Sequence, residues 1–371
     1  MLAERYRDDG RATLSLNGLQ VKTKESIQQK IKEGIYIFES VPCGICDGED
    51  FELLSQKDRY GLYVSAVVCK SCGLIQLNPR MNWESYSEFY KDDYRKLYEG
   101  ESLPTDEFFV SQYIKGKNIY SYLHNNGIIK EPNSRLSVLE IGCGAGGILQ
   151  YFKDNGCRVK GIDLGEEYIE FGREKYGLDL SVGTLLATSL EFEPDIIIYS
   201  HVLEHILSVS EELKNIKEKL SSQGVIYIEV PGVKNLFKSY EMNFLLYLQN
   251  AHVYYFSLAT LKRLMGHNDF EMVSGDENIR SVFRRKPQTA LEQDSENDYP
   301  SVVEYLQELE KSRKFLPLTP YLIKALLRKW IIKLLRCLRL DQAIRKIYWK
   351  YKLGPRFSTL AKNKFPRQKT D

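Results

Sequence analysis

Four cysteines in two closely spaced pairs are the first residues whose types and spacing indicate chemistry. Cys43 and Cys46 form one CxxC pair, Cys69 and Cys72 form the second, and 22 residues separate the two pairs. Two turns of this kind present four thiolates, which suit tetrahedral zinc. Because a four-thiolate site leaves no open coordination position, we expect the zinc to be structural rather than catalytic.

A glycine-rich turn follows an apolar run in the sequence VLEIGCGAGG, residues 138–147. Glycines in such a turn let the backbone bend sharply and approach a ligand closely. Asp163 ends the next apolar run, 21 residues after the first glycine of the GxGxG turn, where a carboxylate can accept hydrogen bonds from two ribose hydroxyls. The pattern predicts a nucleoside site whose backbone contacts come from Gly142, Gly144 and Gly146.

Glu140 helps to distinguish a dinucleotide from a nucleoside that carries a cationic group. It lies two residues before the first glycine, where its carboxylate would repel a pyrophosphate but could help to hold a cationic aminoacyl group, directly or through water. The run EIGCGAG followed by Asp163 closely resembles the first two motifs of class I methyltransferases. That resemblance implies S-adenosylmethionine as the cofactor and a Rossmann-like α/β fold.

Three later segments also resemble this family. They are PDIIIYSHVLEHI (194–206), GVIYIEVPG (224–232) and HVYYFSLATLKRLM (252–265). Many relatives have an acidic residue near position 184 that binds adenine, whereas this chain has Thr184 followed by Leu185. We therefore expect the adenine contacts to come from backbone groups with Leu164 or Leu185, and the remaining cofactor contacts from Thr184 and Ser200.

His201, Glu204 and His205 form an HxxEH cluster, which also matches a metalloprotease pattern. The cluster directly follows a buried strand inside a parallel α/β unit, and no third metal ligand stands out, so we reject the protease interpretation. In the resembled family this segment lies beside the transferable methyl group. These three side chains are therefore candidate catalytic residues, or they orient loops through hydrogen bonds.

His252 is the predicted general base. The segment AHVYYFS resembles the EHxxYFS stretch of sugar C-methyltransferases, in which the histidine accepts a proton. This chain has Ala251 where that pattern has glutamate, so the carboxylate partner of the base is missing. Histidine titrates close to neutral pH, which suits proton removal from a sugar hydroxyl.

The segment CGLIQLNPRMNWESYSEFYKDDY (72–94) resembles the zinc-bearing N-terminal module of sugar C-methyltransferases and related enzymes of surface-glycan gene clusters. The resemblance implies that this module packs beside the cofactor domain and closes over the substrate. Zinc ribbons also bind nucleic acid, but residues 41–110 are not markedly basic. Nucleic acid is therefore not expected as a partner.

The elements that must position these residues alternate from residue 137 to about 285. Apolar runs at 138–141, 159–162, 196–199 and 225–230 alternate with helical stretches at 148–155, 166–176 and 209–220. Alternation of this kind predicts βαβ units and a mostly parallel sheet covered on both faces. Two further runs, 270–274 and 281–284, are candidate closing strands.

Domain boundaries follow from these patterns and from shifts in charge. Residues 321–371 contain 15 lysines and arginines but 2 acidic residues, and their apolar residues recur at helical spacing. This pattern predicts a basic amphipathic helix that lies on an anionic membrane surface or packs against protein.

The predicted units are an N-terminal extension (1–40), a zinc-binding module (41–80), an aromatic-rich helical connector or lid (81–133), the cofactor-binding methyltransferase domain (134–285), an acidic linker (286–320) and the basic tail (321–371).

Composition limits the class of protein. Hydrophobic residues make up 43% and charged residues 27%, the profile of a globular chain, and neither a signal peptide nor a spanning segment is evident. We expect a cytoplasmic location, with the tail allowing attachment to the inner face of the membrane.

We interpret the chain as an S-adenosylmethionine-dependent methyltransferase that acts on a sugar nucleotide or lipid-linked glycan in polysaccharide biosynthesis. Transfer to a hydroxyl is favoured over transfer to carbon because the C-methylating pattern is broken at Ala251. One alternative is a small-molecule O-methyltransferase of quinone or natural-product type. Another is an RNA-binding protein with a secondary methyltransferase-like domain.

Overall fold

The computed structural model of the protein describes residues 1–98, 100, 103–130, 135–287 and 297–313, together with four residues of the tail, Leu327, Trp330, Ile331 and Leu334. The chain divides into two compact units, residues 1–313 and 314–371. The candidate sites for cofactor, acceptor and metal all lie in the first unit.

The N-terminal part of the first unit contains short strands followed by helices. Helix α1 begins at a capping box in which the side chains of Asn17 and Gln20 each accept from the other's backbone N–H. The elements are α1 (Gly18–Lys32), β1 (Phe38–Glu39), β2 (Phe51–Lys57), β3 (Tyr63–Cys69), β4 (Ile75–Leu77), β5 (Arg80–Met81), α2 (Trp83–Asp92), α3 (Tyr94–Tyr98) and α4 (Asp106–Asn125).

The following part alternates strands and helices as predicted, and each of the four predicted inner strands agrees with the structure to within one residue. The elements are β6 (Ser137–Ile141), α5 (Gly147–Asp154), β7 (Arg158–Asp163), α6 (Glu166–Tyr176), β8 (Leu180–Val182), β9 (Ile196–Ser200), α7 (Val209–Lys219), β10 (Val225–Glu229), α8 (Phe244–Tyr247), β11 (Tyr254–Tyr255), α9 (Leu258–His267), β12 (Phe270–Gly275), β13 (Arg280–Arg285) and α10 (Tyr299–Ser312).

Seven strands form one sheet in the order β12-β13-β10-β9-β6-β7-β8. The strands from β10 to β8 are parallel, and β13 and β12 close the sheet with antiparallel pairing. The strand order reverses at β6, which pairs with β7 on one side and with β9 on the other. The prediction of a Rossmann-like α/β domain is confirmed, and such a reversal point is where open α/β sheets bind ligands.

Alternating side chains of the central strands pack into two separate cores, one on each face of the sheet. Leu139 and Ile197 lie in one core, whereas their neighbours Val138 and Ile196 lie in the other. A strand that is buried on both faces consists almost entirely of apolar residues. Glu140 in β6 is an exception, because it places a buried carboxylate between the apolar residues Leu139 and Ile141.

A second sheet joins the cysteine-bearing module to the part of the chain that forms the seven-stranded sheet. Its strand order is β11-β4-β3-β2, and Tyr254 and Tyr255 of β11 pair with Gln76 and Ile75 of β4. The edge strand of the module's sheet therefore comes from the segment that directly follows His252. The ranges 41–80 and 134–285 therefore contribute strands to one sheet.

The predicted acidic linker, 286–320, is only partly a linker. Helix α10 lies within it and buries Val302, Leu306 and Leu309. Arg5, near the N-terminus, donates a hydrogen bond from Nε to Glu310 of this helix at 2.9 Å. Residues 299–312 of the predicted linker therefore form a packed helix, because apolar residues at helical spacing offset the acidic composition.

Most of the predicted basic tail lies outside the described residues. The four described tail residues, Leu327, Trp330, Ile331 and Leu334, are helical, and all four are exposed. Within the part of the chain that the structure describes, no helix is both long enough and apolar enough to cross a membrane.

Candidate functional site

The predicted cofactor residues converge at the carboxyl edge of the seven-stranded sheet, around the reversal point at β6. The glycine-rich turn follows β6, Asp163 ends β7, and Ser200 ends β9. Gly142 has a left-handed backbone with φ of +67°, and a Cβ there would collide with Cγ2 of Val202. Glycine is required at this position both by the backbone conformation and by the close approach of the loop after β9.

Asp163 organises the turn through both of its carboxylate oxygens. Oδ2 accepts a hydrogen bond from the backbone N–H of Gly144 at 2.8 Å, and Oδ1 accepts from that of Gly165 at 2.7 Å. Arg95 of α3 lies over the same carboxylate, with Nη2 3.4 Å from Oδ1, and its guanidinium stacks 3.6 Å from the centre of the Tyr168 ring. Oδ1 thus already has two donors, whereas Oδ2 can accept a further bond, so a ribose hydroxyl can still bind here.

Two buried polar atoms at this edge have no hydrogen-bond partner among the described residues. They are Oε2 of Glu140, whose residue is 2% exposed, and Oγ of Ser200. Burial raises the pKa of Glu140 well above its ordinary value. A buried carboxylate oxygen without a partner is costly, and a cationic ligand group would satisfy it. The residues present therefore fit the aminoacyl end of S-adenosylmethionine.

The predicted adenine contacts divide into two groups. Leu164 is 61% exposed and Thr184 is exposed, so both can meet a ligand. Leu185 is fully buried in a core, and its neighbour Leu186 is 64% exposed instead. The prediction for the Leu185 side chain was wrong, since the turn after β8 directs that side chain inward.

His201 occupies a strained position at the mouth of the site. It is a non-glycine residue with φ of +59°, and its backbone N–H donates to the carbonyl oxygen of Glu229 at 2.7 Å. Its side chain is 41% exposed and lies between two carboxylates, with Nδ1 3.6 Å from Glu204 Oε1 and Nε2 4.0 Å from Glu229 Oε1. Strain of this kind is typical of functional sites.

Glu204 is the most unusual carboxylate of the site. Its side chain is 2% exposed, and neither carboxylate oxygen has a hydrogen-bond partner among the described residues. One carboxylate oxygen of Glu204 lies within 4.8 Å of ring nitrogens of both His205 and His252. The carboxylate that the sequence lacks at position 251 is therefore present nearby on a different segment.

His205 has a defined orientation. Its Nδ1 lies 2.9 Å from the carbonyl oxygen of Ala251 and 2.6 Å from the hydroxyl of Tyr90. Since a carbonyl can only accept, we assign the proton to Nδ1, which leaves Nε2 as an acceptor 4.0 Å from Glu204 Oε1. Burial lowers the pKa of His205, although the Glu204 carboxylate opposes the shift.

His252 lies in the loop before β11 and is 5% exposed. Its Nδ1 is buried without a hydrogen-bond partner among the described residues, and its ring packs at a right angle to that of His205, 4.6 Å between centres. Burial, together with the nearby His205 and Arg59, lowers the pKa of His252 well below its ordinary value. The shift favours the neutral imidazole, so protonation of His252 requires a compensating negative charge, such as that of Glu204.

A row of four tyrosines, missed as site residues in the sequence, packs against His205 of this cluster. Successive ring centres of this tyrosine ladder are 4.9, 4.4 and 4.7 Å apart. The hydroxyl of the first tyrosine donates to the carbonyl oxygens of His205 and Ala251. The uniform spacing of four residues along α2 and α3 could have predicted one shared face. The ladder consists of Tyr86, Tyr90, Tyr94 and Tyr98.

The four paired cysteines also converge. The Sγ atoms of Cys43 and Cys72 are 3.4 Å apart, those of Cys46 and Cys69 are 3.6 Å apart, and all four lie within 4.8 Å of one another. Three of the four side chains are buried. Zinc–sulfur bonds of about 2.3 Å place tetrahedral thiolates at about this separation, so the residues present fit a zinc ion.

The sheet order, the glycine turn and Asp163 agree with the class I methyltransferase fold that the sequence predicted. Residues 117–275 match the sequence profile of a family described as "Methyltransferase domain". This match lies on the segment in which the glycine turn and Asp163 predicted a methyltransferase domain.

Individual relatives are more distant. The chain is 29% identical over 103 residues to the ubiquinone biosynthesis O-methyltransferase of Bartonella quintana (strain Toulouse), a match that covers 26% of this chain and 42% of that protein. This chain therefore spans less than half of the length of that curated relative.

Two solved methyltransferase structures are similar at low sequence identity. The Burkholderia thailandensis 1,6-didemethyltoxoflavin-N1-methyltransferase is 17% identical with a TM-score of 0.41, covering 60% of this chain and 96% of that one. The plantazolicin methyltransferase is 19% identical with a TM-score of 0.40, covering 61% and 87%.

Proposed function

We propose that this protein transfers a methyl group from S-adenosylmethionine to a hydroxyl of a sugar nucleotide or lipid-linked glycan. The observation that carries the proposal is the buried His252 beside the Glu204 carboxylate, which has no hydrogen-bond partner among the described residues, at the edge of the sheet where the cofactor turn lies. A hydroxyl becomes a competent nucleophile when a neutral base accepts its proton, and a nearby carboxylate stabilises the resulting imidazolium.

Each residue of the site has its own function in the proposed reaction. The bound cofactor supplies the electrophilic methyl group. Asp163 and the glycine turn hold its ribose, and Glu140 holds its cationic end. His252 accepts the proton of the acceptor hydroxyl, and Glu204 stabilises the charge that this creates. The tyrosine ladder fixes Ala251 and His205 through hydrogen bonds, which keeps the two imidazoles in place.

The acceptor class rests on the cysteine-bearing module. The sequence after Cys72 resembles the module of sugar-methylating enzymes, and β11, which follows the proposed base, is the edge strand of that module's sheet. A small-molecule O-methyltransferase of quinone type is the second candidate, because a curated relative carries that name. Its acceptor would be a neutral phenol rather than a glycan.

Radiolabel transfer distinguishes these candidates. Full-length protein would be incubated with S-adenosyl-[methyl-¹⁴C]methionine and three acceptors: a panel of nucleotide sugars, a short-chain prenyl-diphosphate sugar, and a substituted catechol. The proposal predicts label in a sugar-containing product. Label in the catechol alone would instead establish the quinone-type activity.

We also propose that the cysteine site holds structural zinc. Each CxxC turn is closed by backbone hydrogen bonds, from Asp47 N–H to the Cys43 carbonyl at 3.0 Å and from Gly73 N–H to the Cys69 carbonyl at 2.8 Å. A closed site of this kind contributes to folding rather than to the reaction. Metal analysis of the purified protein should give about one zinc per chain.

The exposed tail residues support a membrane proposal. Leu327, Trp330, Ile331 and Leu334 recur at helical spacing and are 43–64% exposed, within a segment rich in lysine and arginine. We propose that this segment binds an anionic bilayer surface. Protein lacking residues 321–371 should fail to sediment with phosphatidylglycerol vesicles that retain the full-length chain. Equal sedimentation of both forms would contradict the proposal.

A further inference from the structure

Arg59 lies beside the acceptor site on a turn of the cysteine-bearing module. The turn joins β2 to β3, and the backbone N–H of Arg59 donates to the carbonyl oxygen of Leu248 at 3.1 Å. The preceding residue, Asp58, accepts a hydrogen bond from the backbone N–H of Asn250 at 3.1 Å. The turn is therefore fixed directly onto the loop that carries His252.

The guanidinium of Arg59 forms no ion pair or hydrogen bond with a carboxylate among the described residues, although Asp58 lies near it. Its one side-chain hydrogen bond runs from Nη2 to the hydroxyl of Tyr60 at 2.8 Å, and its buried Nε has no partner in the described part of the chain. The adjacent carboxylate of Asp58 is occupied by the backbone N–H groups of Tyr60, Leu62 and Asn250. A part-buried cation is thus left with free donors.

Most other part-buried arginines of the described residues are paired with carboxylates, whereas Arg285 donates to the backbone carbonyl oxygens of Lys217 and Leu220. Arg80 lies 3.3 Å from Glu39, and Arg280 lies 2.6 Å from Asp276. A buried charge without a partner is unfavourable, so its retention calls for a ligand of opposite charge. Cation–π contacts with neighbouring tyrosines offset part of this cost, but an aromatic face does not accept the in-plane N–H groups.

The surroundings of Arg59 belong to the acceptor site. Its guanidinium lies 5.0 Å from the ring centre of Tyr60 and 5.4 Å from that of Tyr98, the last tyrosine of the ladder. Its charge is also close enough to lower the pKa of His252, after burial and His205. An anion bound by Arg59 would therefore be part of the molecule that His252 deprotonates.

We infer that Arg59 binds the diphosphate of the acceptor, an inference that rests on the proposed function. The planar guanidinium matches phosphate oxygens with two parallel N–H donors, and Nε with Nη1 provides such a pair. Both a nucleotide sugar and a lipid-linked sugar carry this group, whereas a neutral phenol does not. Arg59 is thus the residue that selects a phosphorylated acceptor.

Calorimetry on the full-length chain with bound S-adenosylhomocysteine tests the inference. The titrants are inorganic pyrophosphate, UDP-glucose and farnesyl diphosphate in detergent, and the proteins are wild type, Arg59→Gln, Arg59→Lys and Arg11→Gln. Arg11 is an exposed arginine whose backbone lies against Gly61 of the same turn, so it controls for the loss of one charge. We expect pyrophosphate to bind at least ten-fold more weakly to Arg59→Gln, and within two-fold of wild type to Arg11→Gln.

The remaining outcomes are equally decisive. Arg59→Lys keeps the charge but loses the two parallel N–H donors of the guanidinium. An affinity for pyrophosphate between those of wild type and Arg59→Gln therefore supports the inference. Tighter binding of UDP-glucose than of farnesyl diphosphate assigns the diphosphate to a nucleotide sugar, and the reverse order assigns it to a lipid carrier. If wild type binds S-adenosylhomocysteine but not pyrophosphate, or Arg59→Gln binds pyrophosphate normally, the inference is wrong while the methyltransferase proposal stands. If S-adenosylhomocysteine does not bind, the proposed function itself fails.

Discussion

The cofactor half and the acceptor half of the site are built in different ways. The cofactor half uses the glycine turn and Asp163, which lie within about 30 residues of each other and are tied together by backbone hydrogen bonds. The acceptor half brings together residues from the cysteine-bearing module, the tyrosine ladder, the loop after β9 and the loop before β11. The first half is a local motif, whereas the second exists only when distant segments pack.

The largest expected effect comes from disrupting the cysteine site. Cys69→Ser should prevent zinc binding and loosen the sheet in which β11 pairs with β4, because a structural zinc site contributes directly to folding. Acceptor turnover should fall to background, whereas the affinity for S-adenosylhomocysteine should change by less than about ten-fold. Zinc content, turnover and calorimetric affinity would be measured on the same preparation. Cys157→Ser, which changes a cysteine outside the site, is the control.

Removing the base is expected to have the next largest effect. His252→Ala should lower turnover by about 10²–10⁴-fold with little change in cofactor affinity, as is typical of a lost general base. His201→Ala and His205→Ala are the comparison variants, with turnover and affinity measured for all three. If His252→Ala turns over normally while His201→Ala does not, the exposed imidazole between Glu204 and Glu229 is the base instead.

Asp163 tests the cofactor half. Asp163→Ala removes the proposed ribose acceptor and the bonds to Gly144 and Gly165, so it should weaken S-adenosylmethionine binding by about ten-fold or more, about 1.4 kcal/mol. The conservative Asp163→Asn should lose less, since one oxygen remains to accept. Calorimetric titration measures both. An unchanged affinity in the alanine variant would show that the ribose binds elsewhere.

The same contrast explains what could be predicted from the sequence. The inner strands and the glycine turn follow from local hydrophobic periodicity and glycine spacing, so they were predicted to within a residue. The side chain of Leu185 was wrongly assigned because the direction of a single loop residue depends on tertiary packing. The Glu204 carboxylate, which has no hydrogen-bond partner among the described residues, and the Arg59 guanidinium could not be found for a related reason, since distant segments decide whether a charged group has a partner.

The sequence also could not predict the sheet that β11 forms with the strands of the cysteine-bearing module. Tyr254 and Tyr255 form a two-residue strand, too short for periodicity to detect, and its partner lies almost 180 residues earlier in β4. The tyrosine ladder, by contrast, was within reach, because a repeat of four residues from Tyr86 to Tyr98 predicts a common helical face. Its contact with His205 depends on the packing of α2 and α3.

The smallest predicted effect concerns the stability of the acceptor half at low pH. Burial lowers the pKa of His252 and of His205 in the folded protein, whereas an unfolded histidine titrates near pH 6.5. Below about pH 6.5 the unfolded chain therefore binds more protons than the folded chain, and the free energy of unfolding falls as the pH falls. Between pH 7.5 and 5.5, His252 should account for a loss of up to about 1.4 kcal/mol.

Urea denaturation of wild type and His252→Gln at these two pH values measures the contribution of His252. The glutamine variant is neutral throughout, so its stability should fall less between pH 7.5 and 5.5 than that of wild type. Asp58, whose pKa burial raises to about 6, also titrates in this range, but its contribution is common to both proteins and cancels in the difference. Equal losses in the two proteins would mean that His252 is protonated in the folded state at pH 5.5. The imidazole would then already carry a proton in mildly acidic solution, and the pH dependence of turnover should show a base with a near-normal pKa.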